Sequence, residues 1–345
     1  MFQEPTYDQR AKPLHAYLCV FGVRQTTWLA VIVFVGMSMI LAGRMLYTAP
    51  DDESYIAYFE GKNSILLTNT GPYLLEEPLW LAYASSMGSI VGTETALRIT
   101  IFLGSFLFLA ASGKLARGAW IFIFLAFITD VTLATQMYYN QIRQGFALSV
   151  FLVMMAGGLH PFFGAVVASA IHASFLAVIP CIIAAAVIRR SKMRLAAILF
   201  AVGLSVFYLN RLMGDIDLGR RSVIYAFEGN LNVFFYALAI SQYGLIFFLL
   251  KQKHPDDQQE FWFCFSLIFV TLAIGLSLIH EAGGRLMYIA NALMAILIGL
   301  NLRRTQAKIG AVVWLLLLLM VLLNEGRKDN FGPDSWLGRW VLILT

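Results

Sequence analysis

The chain has 345 residues, of which 59% are hydrophobic and only 13% charged, with a mean hydropathy of +0.74. Such a composition excludes an ordinary soluble domain and places the chain in a lipid bilayer. The net charge of +5 does not indicate nucleic acid, because the basic residues sit in short clusters between apolar runs, where membrane topology accounts for them.

The apolar runs are continuous, not alternating, so they predict helices and exclude barrel strands. Arg10, Lys12 and Arg24 precede the first run, which assigns the N-terminus to the cytoplasm, and no small-residue cleavage site follows that run, so it reads as a retained helix. The first span, Trp28 to Tyr47, crosses outward. Arg44 near its end, and Arg98 further on, read as anchors in the headgroup interface.

A long external loop follows over residues 48–93, carrying Asp51, Asp52, Glu53, Glu60, Glu76 and Glu77 against a single Lys62. Its length suggests a functional loop. The pair Asp51 and Asp52 is a candidate for holding a divalent cation or for removing a proton from a hydroxyl. The apolar stretch Glu77 to Gly92 is too short to cross the bilayer, so it predicts a re-entrant or interfacial helix.

Spans then run over Glu94 to Ser112 inward, Gly118 to Gln136 outward and Gln141 to Gly157 inward. From His160 to Ile188 the run is too long for one upright helix, and the cluster Arg189, Arg190, Lys192 and Arg194 holds its far end inside. A helical hairpin turning near His172 to Ser174 satisfies both. The remaining spans are Leu195 to Leu209, Asn232 to Leu250, Phe261 to Ile279, Arg285 to Leu302 and Ile309 to Leu323. The expected architecture is therefore one all-α transmembrane domain over residues 1–345, with about nine full spans plus the hairpin. A second external loop covers residues 211–231, and the tail SWLGRWVLIL should lie in the interface.

With that topology the polar residues gather on one face. Gln136, Tyr139, Asn140, Arg143, Gln144 and Ala147 recur at helical spacing, as a stripe entering the membrane from outside. Snorkelling of Arg143 to lipid phosphate explains the arginine but not the neighbouring amides; a wet cavity holding an anion explains both. His172 and Ser174 sit at the hairpin turn, as structural residues or as contacts to a phosphate or hydroxyl. In HEAGGRLMY, Gly283 and Gly284 break the helix pattern, and Arg285 and Tyr288 share a face. Arg220 and Arg221 stand on the outside against the topological bias, as a salt-bridged loop cap or as anion contacts. Cys19, Cys181 and Cys264 lack metal-ligand spacing and read as packing residues.

The ordered set of Asp51-Asp52 with Tyr55, EEPLW, NQIRQGFALS, IHASFLAVIP and GGRLMY resembles the EpsG-like branch of Wzy-type polysaccharide polymerases. The resemblance implies a fold similar to GT-C glycosyltransferases and a bacterial inner-membrane enzyme. Such an enzyme joins undecaprenyl-pyrophosphate-linked oligosaccharide repeats into O-antigen, capsule or exopolysaccharide on the periplasmic side. It implies substrate and membrane lipid as partners, with a chain-length regulator protein as a further one, and no cofactor. The positions carried over are Asp52, Tyr55, Glu77, Pro78, Arg143, Gln144, His172, Ser174, Arg285 and Tyr288; alignment does not separate Asp51 from Asp52. Chemistry adds roles: Arg143 and Arg285, with Arg221 as a third, for the pyrophosphate, and Asp52, Glu77 or His172, in that order, as base. An O-antigen ligase differs only in acceptor. A lipid-linked oligosaccharide flippase predicts pseudo-symmetric halves and charges through the bundle depth, neither of which the sequence displays.

Overall fold

The computed structural model describes residues 25–49, 51–61, 77–189, 233–251, 255–277, 282–328 and 336–344. The expected span at Leu195 to Leu209, the loop at 211–231 and, with it, Arg220 and Arg221 lie outside the described residues, as does Cys19. All regular structure among the described residues is helical. In chain order the helices are α1 (Gln25–Gly43), α2 (Asp52–Phe59), α3 (Pro78–Val91), α4 (Thr93–Leu115) and α5 (Trp120–Thr129). A π-helical segment (Val131–Asn140) leads to α6 (Ile142–Ala156) and α7 (Pro161–Ser169). A 3-10 turn (Ala173–Ala177) precedes α8 (Val178–Ile188), and α9 (Val233–Leu250), α10 (Asp257–Ser277), α11 (Ala282–Asn301), α12 (Thr305–Lys328) and α13 (Trp336–Leu344) complete the set.

Among the described residues three helices are long and apolar enough to cross a bilayer: Thr93–Leu115, Asp257–Leu276 and Gly283–Asn301. Shorter apolar helices cover Trp28–Gly43, Ile142–Ala156, Ala173–Ile188 and Thr305–Met320. This is a multi-pass membrane protein. The continuous span expected over Gly118 to Gln136 is instead a bent pair, with α5 and Thr132–Asn140 inclined at 67°. The cause is Asp130, whose Oδ1 accepts from the Thr132 amide (2.7 Å) and hydroxyl (2.6 Å), capping a new helical start in mid-run.

The bundle is held as membrane helices are, by close approach and interhelical hydrogen bonds. The core pair is α4 with α6. Ser149 of α6 donates to the Gly104 carbonyl of α4 (2.7 Å), and its hydroxyl lies 2.7 Å from that of Tyr138. α10 packs along α11 and α8, and α13 rests on α1, α12 and the π-helical segment. At one end of the bundle Arg117 pairs with Asp256 (2.5 Å), Arg304 caps α9 through the Leu250 carbonyl (3.3 Å), and Gly299 closes on Ala116. Asp51, Glu77, Arg143 and Arg285 stand at the opposite ends of the helices, hereafter the site end.

α3 is a short helix leaning on α2 and α4. Trp80, fully buried, sets its rings edge-on to Tyr55, Tyr58, Phe59 and Phe146 at 5.8 to 6.5 Å. Gly88 lets α3 touch the end of α2: a Cβ there would lie 1.9 Å from the Phe59 carbonyl oxygen. Gly88→Ala is therefore expected to push the two helices apart and to destabilise by about 1–3 kcal/mol, read as a lower melting temperature in detergent; an unchanged melt would show that α2 and α3 do not depend on this contact.

Candidate functional site

The site end collects residues from helices far apart in sequence. Asp51 is the N-cap of α2, Glu77 immediately precedes α3, Arg143 is the second residue of α6, and Arg285 lies in the first turn of α11. Arginines at helix N-termini oppose the macrodipole, so helix stability does not account for them. The ends meet: Arg143 reaches Glu77, and Gln144 beside it reaches the Arg285 carbonyl.

Arg143 is the hub. Its Nη1 donates to Glu77 Oε2 (2.5 Å) and to the Tyr58 hydroxyl (3.2 Å), and its guanidinium carbon stands 4.8 Å from the centre of the Tyr58 ring and 5.9 Å from that of Tyr55. The side chains of Arg143 and Glu77 are 21% and 5% exposed, so the pair is largely desolvated. The other Glu77 oxygen accepts from the Ala173 amide (3.1 Å), tying α3 to the hairpin turn. At that turn His172 is extended and caps the 3-10 turn, its Nδ1 accepting from the Ser174 amide (3.2 Å) with the Ser174 hydroxyl 2.8 Å away. In the neutral ring this leaves the proton on Nε2. Gln144 reaches the other way: its Nε2 donates to the Arg285 carbonyl (2.7 Å), joining α6 to α11. Tyr288 is half-buried one turn beyond.

Asp51 lies within electrostatic reach of both arginines. Burial raises its carboxyl above the ordinary aspartate value, while the charges of Arg285 and then Arg143 pull it back and that of Asp52 adds to the rise. No hydrogen bond reaches its side chain among the described residues. Several buried atoms at the α6 entrance are likewise unpartnered among the described residues: Asn140 Oδ1, Gln141 Oε1, Arg143 Nε and Gln144 Oε1. Buried polar groups without partners are rare in folded proteins. Four of those among the described residues fall in this one short stretch, the others singly elsewhere in the bundle. The same stretch corrects the expected helical stripe, because the chain breaks at Gln141 between the π-helical segment and α6, and Asn140 turns back to Gln136 (2.9 Å).

Asp52, the first-choice base from sequence, is committed elsewhere. Arg44 grips it in a two-pronged pair (2.5 and 2.8 Å), both side chains 0% exposed, and its Oδ2 also accepts from the Tyr47 amide (2.8 Å). Arg44 in turn donates to the Tyr139 carbonyl (3.1 Å), which the helix break leaves available, and covers the Tyr139 ring at 4.6 Å. Neither Arg44 nor Arg98 is an interface anchor: Arg98 donates back to the Ala42 and Arg44 carbonyls (2.7 and 2.9 Å), capping the end of α1. Neighbouring sequence gives no sign of a partner for either arginine, since each finds it across a turn or another helix.

Sequence reasoning also missed Asp130, a charge in mid-bundle. Asn291 donates to Thr132 Oγ1 (3.0 Å) and reaches Asp130 Oδ1 (3.5 Å), and the Tyr243 hydroxyl donates to Asn291 Oδ1. An acidic residue inside an apolar run was the available signal.

A family model, that of the EpsG family, matches residues 27–331. The chain belongs to the EpsG family. No curated protein and no solved structure gives a significant match. Membership suggests a polysaccharide-polymerase type of function. Within the matched region of this EpsG chain lie Asp51, Tyr55, Glu77, Arg143, His172 and Arg285 alike. Among the described residues no group of three or more His, Cys, Asp or Glu could hold a metal ion.

Proposed function

We propose that this EpsG-family protein polymerises lipid-linked oligosaccharide repeats by glycosyl transfer at its site end, facing the periplasm from the bacterial inner membrane. In this reading an acceptor hydroxyl attacks the anomeric carbon of a sugar carried on undecaprenyl pyrophosphate. The new C–O bond forms as the bond to the pyrophosphate oxygen breaks; the acceptor proton passes to Asp51, and the pyrophosphate leaves on its lipid with its charge beside Arg143 and Arg285. His172 and Tyr288 would contact sugar hydroxyls. Asp51 takes the place that Asp52 held by sequence order, because Asp52 has its hydrogen-bonding capacity filled by Arg44 and the backbone.

The observation that carries this reading is a half-buried carboxyl, Asp51, within electrostatic reach of two arginines from distant helices. A leaving pyrophosphate needs positive charge in a dry place, and guanidinium groups supply it without a metal. One feature favours a flippase instead, the mid-bundle Asp130; its capping of the bent helix gives it a structural task.

Incubating the purified protein with undecaprenyl-pyrophosphate repeat units should give a ladder of products on a gel. Flipping of those units in liposomes without a ladder would favour the transporter. Arg143→Ala is expected to insert normally yet lower polymer formation at least a hundredfold, leaving single-repeat product; full-length polymer from that variant would remove Arg143 from the site.

A further inference from the structure

We infer that the Glu77 carboxylate sits in a binding site for a phosphate or pyrophosphate oxyanion, built by Arg143, the Ala173 amide and Tyr58, and that ligand binding displaces it. The inference rests on the proposed function and supplies what that reading lacks, namely how Arg143 becomes available to a substrate.

Two donors meet the carboxylate, one at each oxygen, as they would meet two phosphate oxygens, while the Tyr58 hydroxyl accepts from Arg143 and orients it. Arg143 Nη1 meets one oxygen at 2.5 Å and the Ala173 amide meets the other at 3.1 Å, with the Tyr58 hydroxyl 3.2 Å from the same Nη1. The carboxylate does not use the whole guanidinium, since Arg143 Nε is buried and without a partner among the described residues. A phosphate group, with three oxygens to present, can take that donor as well.

The backbone supplies a second, independent observation. Glu77 is held at φ 55 and ψ 58, left-handed, a conformation that L residues resist and that a residue preceding proline resists further. Helix capping does not explain it, because the Glu77 side chain makes no cap hydrogen bond to α3. What the strained backbone achieves is delivery of the carboxylate to Arg143 and Ala173. Emptying this niche would leave a buried guanidinium uncompensated, which is strongly unfavourable. Exchange for another anion keeps the charge balanced and lets the Glu77 backbone relax. Glu77 is thus a resident stand-in for the ligand, and this role replaces that of base.

The test is calorimetric titration of the purified full chain in detergent with two probes, inorganic pyrophosphate and farnesyl pyrophosphate. Glu77→Gln, which removes the competing charge at constant shape, should tighten both by about tenfold or more. Tighter binding of the prenylated probe in both proteins identifies the lipid-linked source; equal binding identifies the oxyanion alone. Unchanged or weaker binding by a Glu77→Gln protein of normal melting temperature overturns the inference. In that case loss of binding in Arg143→Ala would still leave the proposed site standing, whereas unaltered binding there would remove both. The wild-type chain gives a readout that needs no variant: carbodiimide labelling of Glu77, measured against exposed Glu94, should rise when pyrophosphate is added. No rise overturns the inference equally.

Discussion

Asparagine in place of Asp51 lowers the rate of polymer formation by about a hundredfold to ten-thousandfold, the usual share of a general base, while the protein inserts and melts normally. Stability is spared because no hydrogen bond to the Asp51 side chain is lost among the described residues. The pH dependence follows from the direction of its shift. Burial outweighs the two arginines and raises the carboxyl above the ordinary aspartate value, so the base is protonated, and inactive, to a higher pH than a solvated aspartate would be. In the wild-type protein kcat/KM should therefore climb with pH through an acid limb displaced upward from the usual carboxylate range, and Asp51→Asn should flatten that limb. The measurement is single-turnover transfer across pH. A variant retaining both the rate and the acid limb would exclude Asp51 as the base.

The neighbouring carboxylate should behave in the opposite way. Asp52→Asn breaks a two-pronged ion pair with no exposure to solvent and leaves Arg44 buried without its counter-charge, a loss of about 3–5 kcal/mol. The change should appear as a fall in melting temperature and in membrane yield, with any activity loss tracking the amount of folded protein. Arg44→Met should cost a similar amount. The double variant Arg44→Met with Asp52→Asn should be less harmful than the sum of the two single changes, because no buried charge is then left alone. A double-mutant cycle in which the two losses simply add would show that the pair does not hold the end of α1 to α2. Adjacent in sequence and identical in type, Asp51 and Asp52 differ in surroundings: Asp52 is fully buried in its pair with Arg44, and Asp51 is half-buried and is the base of the proposed reaction. Asp51, the N-cap of α2, feels the charges of Arg285 and Arg143, whereas Asp52, one residue on, is turned into the bundle.

Much of the architecture is legible in the residues themselves. Long apolar runs announce membrane helices, since only internally hydrogen-bonded segments are stable in hydrocarbon, and the short run at Pro78–Val91 announces a helix that stops before crossing. The gathering of Arg143, Gln144, Glu77 and His172 toward one end is also visible once the runs are laid alternately. The bend at Asp130 is not, because hydropathy averages over a single carboxylate that a threonine turns into a helix cap. Arg44 and Arg98 look like interface residues for a related reason: a charge beside an apolar run has the same local appearance whether it reaches lipid headgroups or a partner across the bundle.

By itself the sequence determined the solvent in which this protein folds, the helical character of its elements and the cast of polar residues at the site, because each follows from hydrophobic patterning along a single segment. Only the tertiary structure decided which acid meets which arginine. Asp52 goes to Arg44, Glu77 to Arg143, and Asp51 is left unpaired by hydrogen bonds among the described residues, within electrostatic reach of Arg143 and Arg285. The reason is that pairing of charges in a low-dielectric interior depends on a few ångströms of separation and a few degrees of helix rotation, quantities set by how α2, α3, α6 and α11 pack together and by no residue's neighbours in the chain.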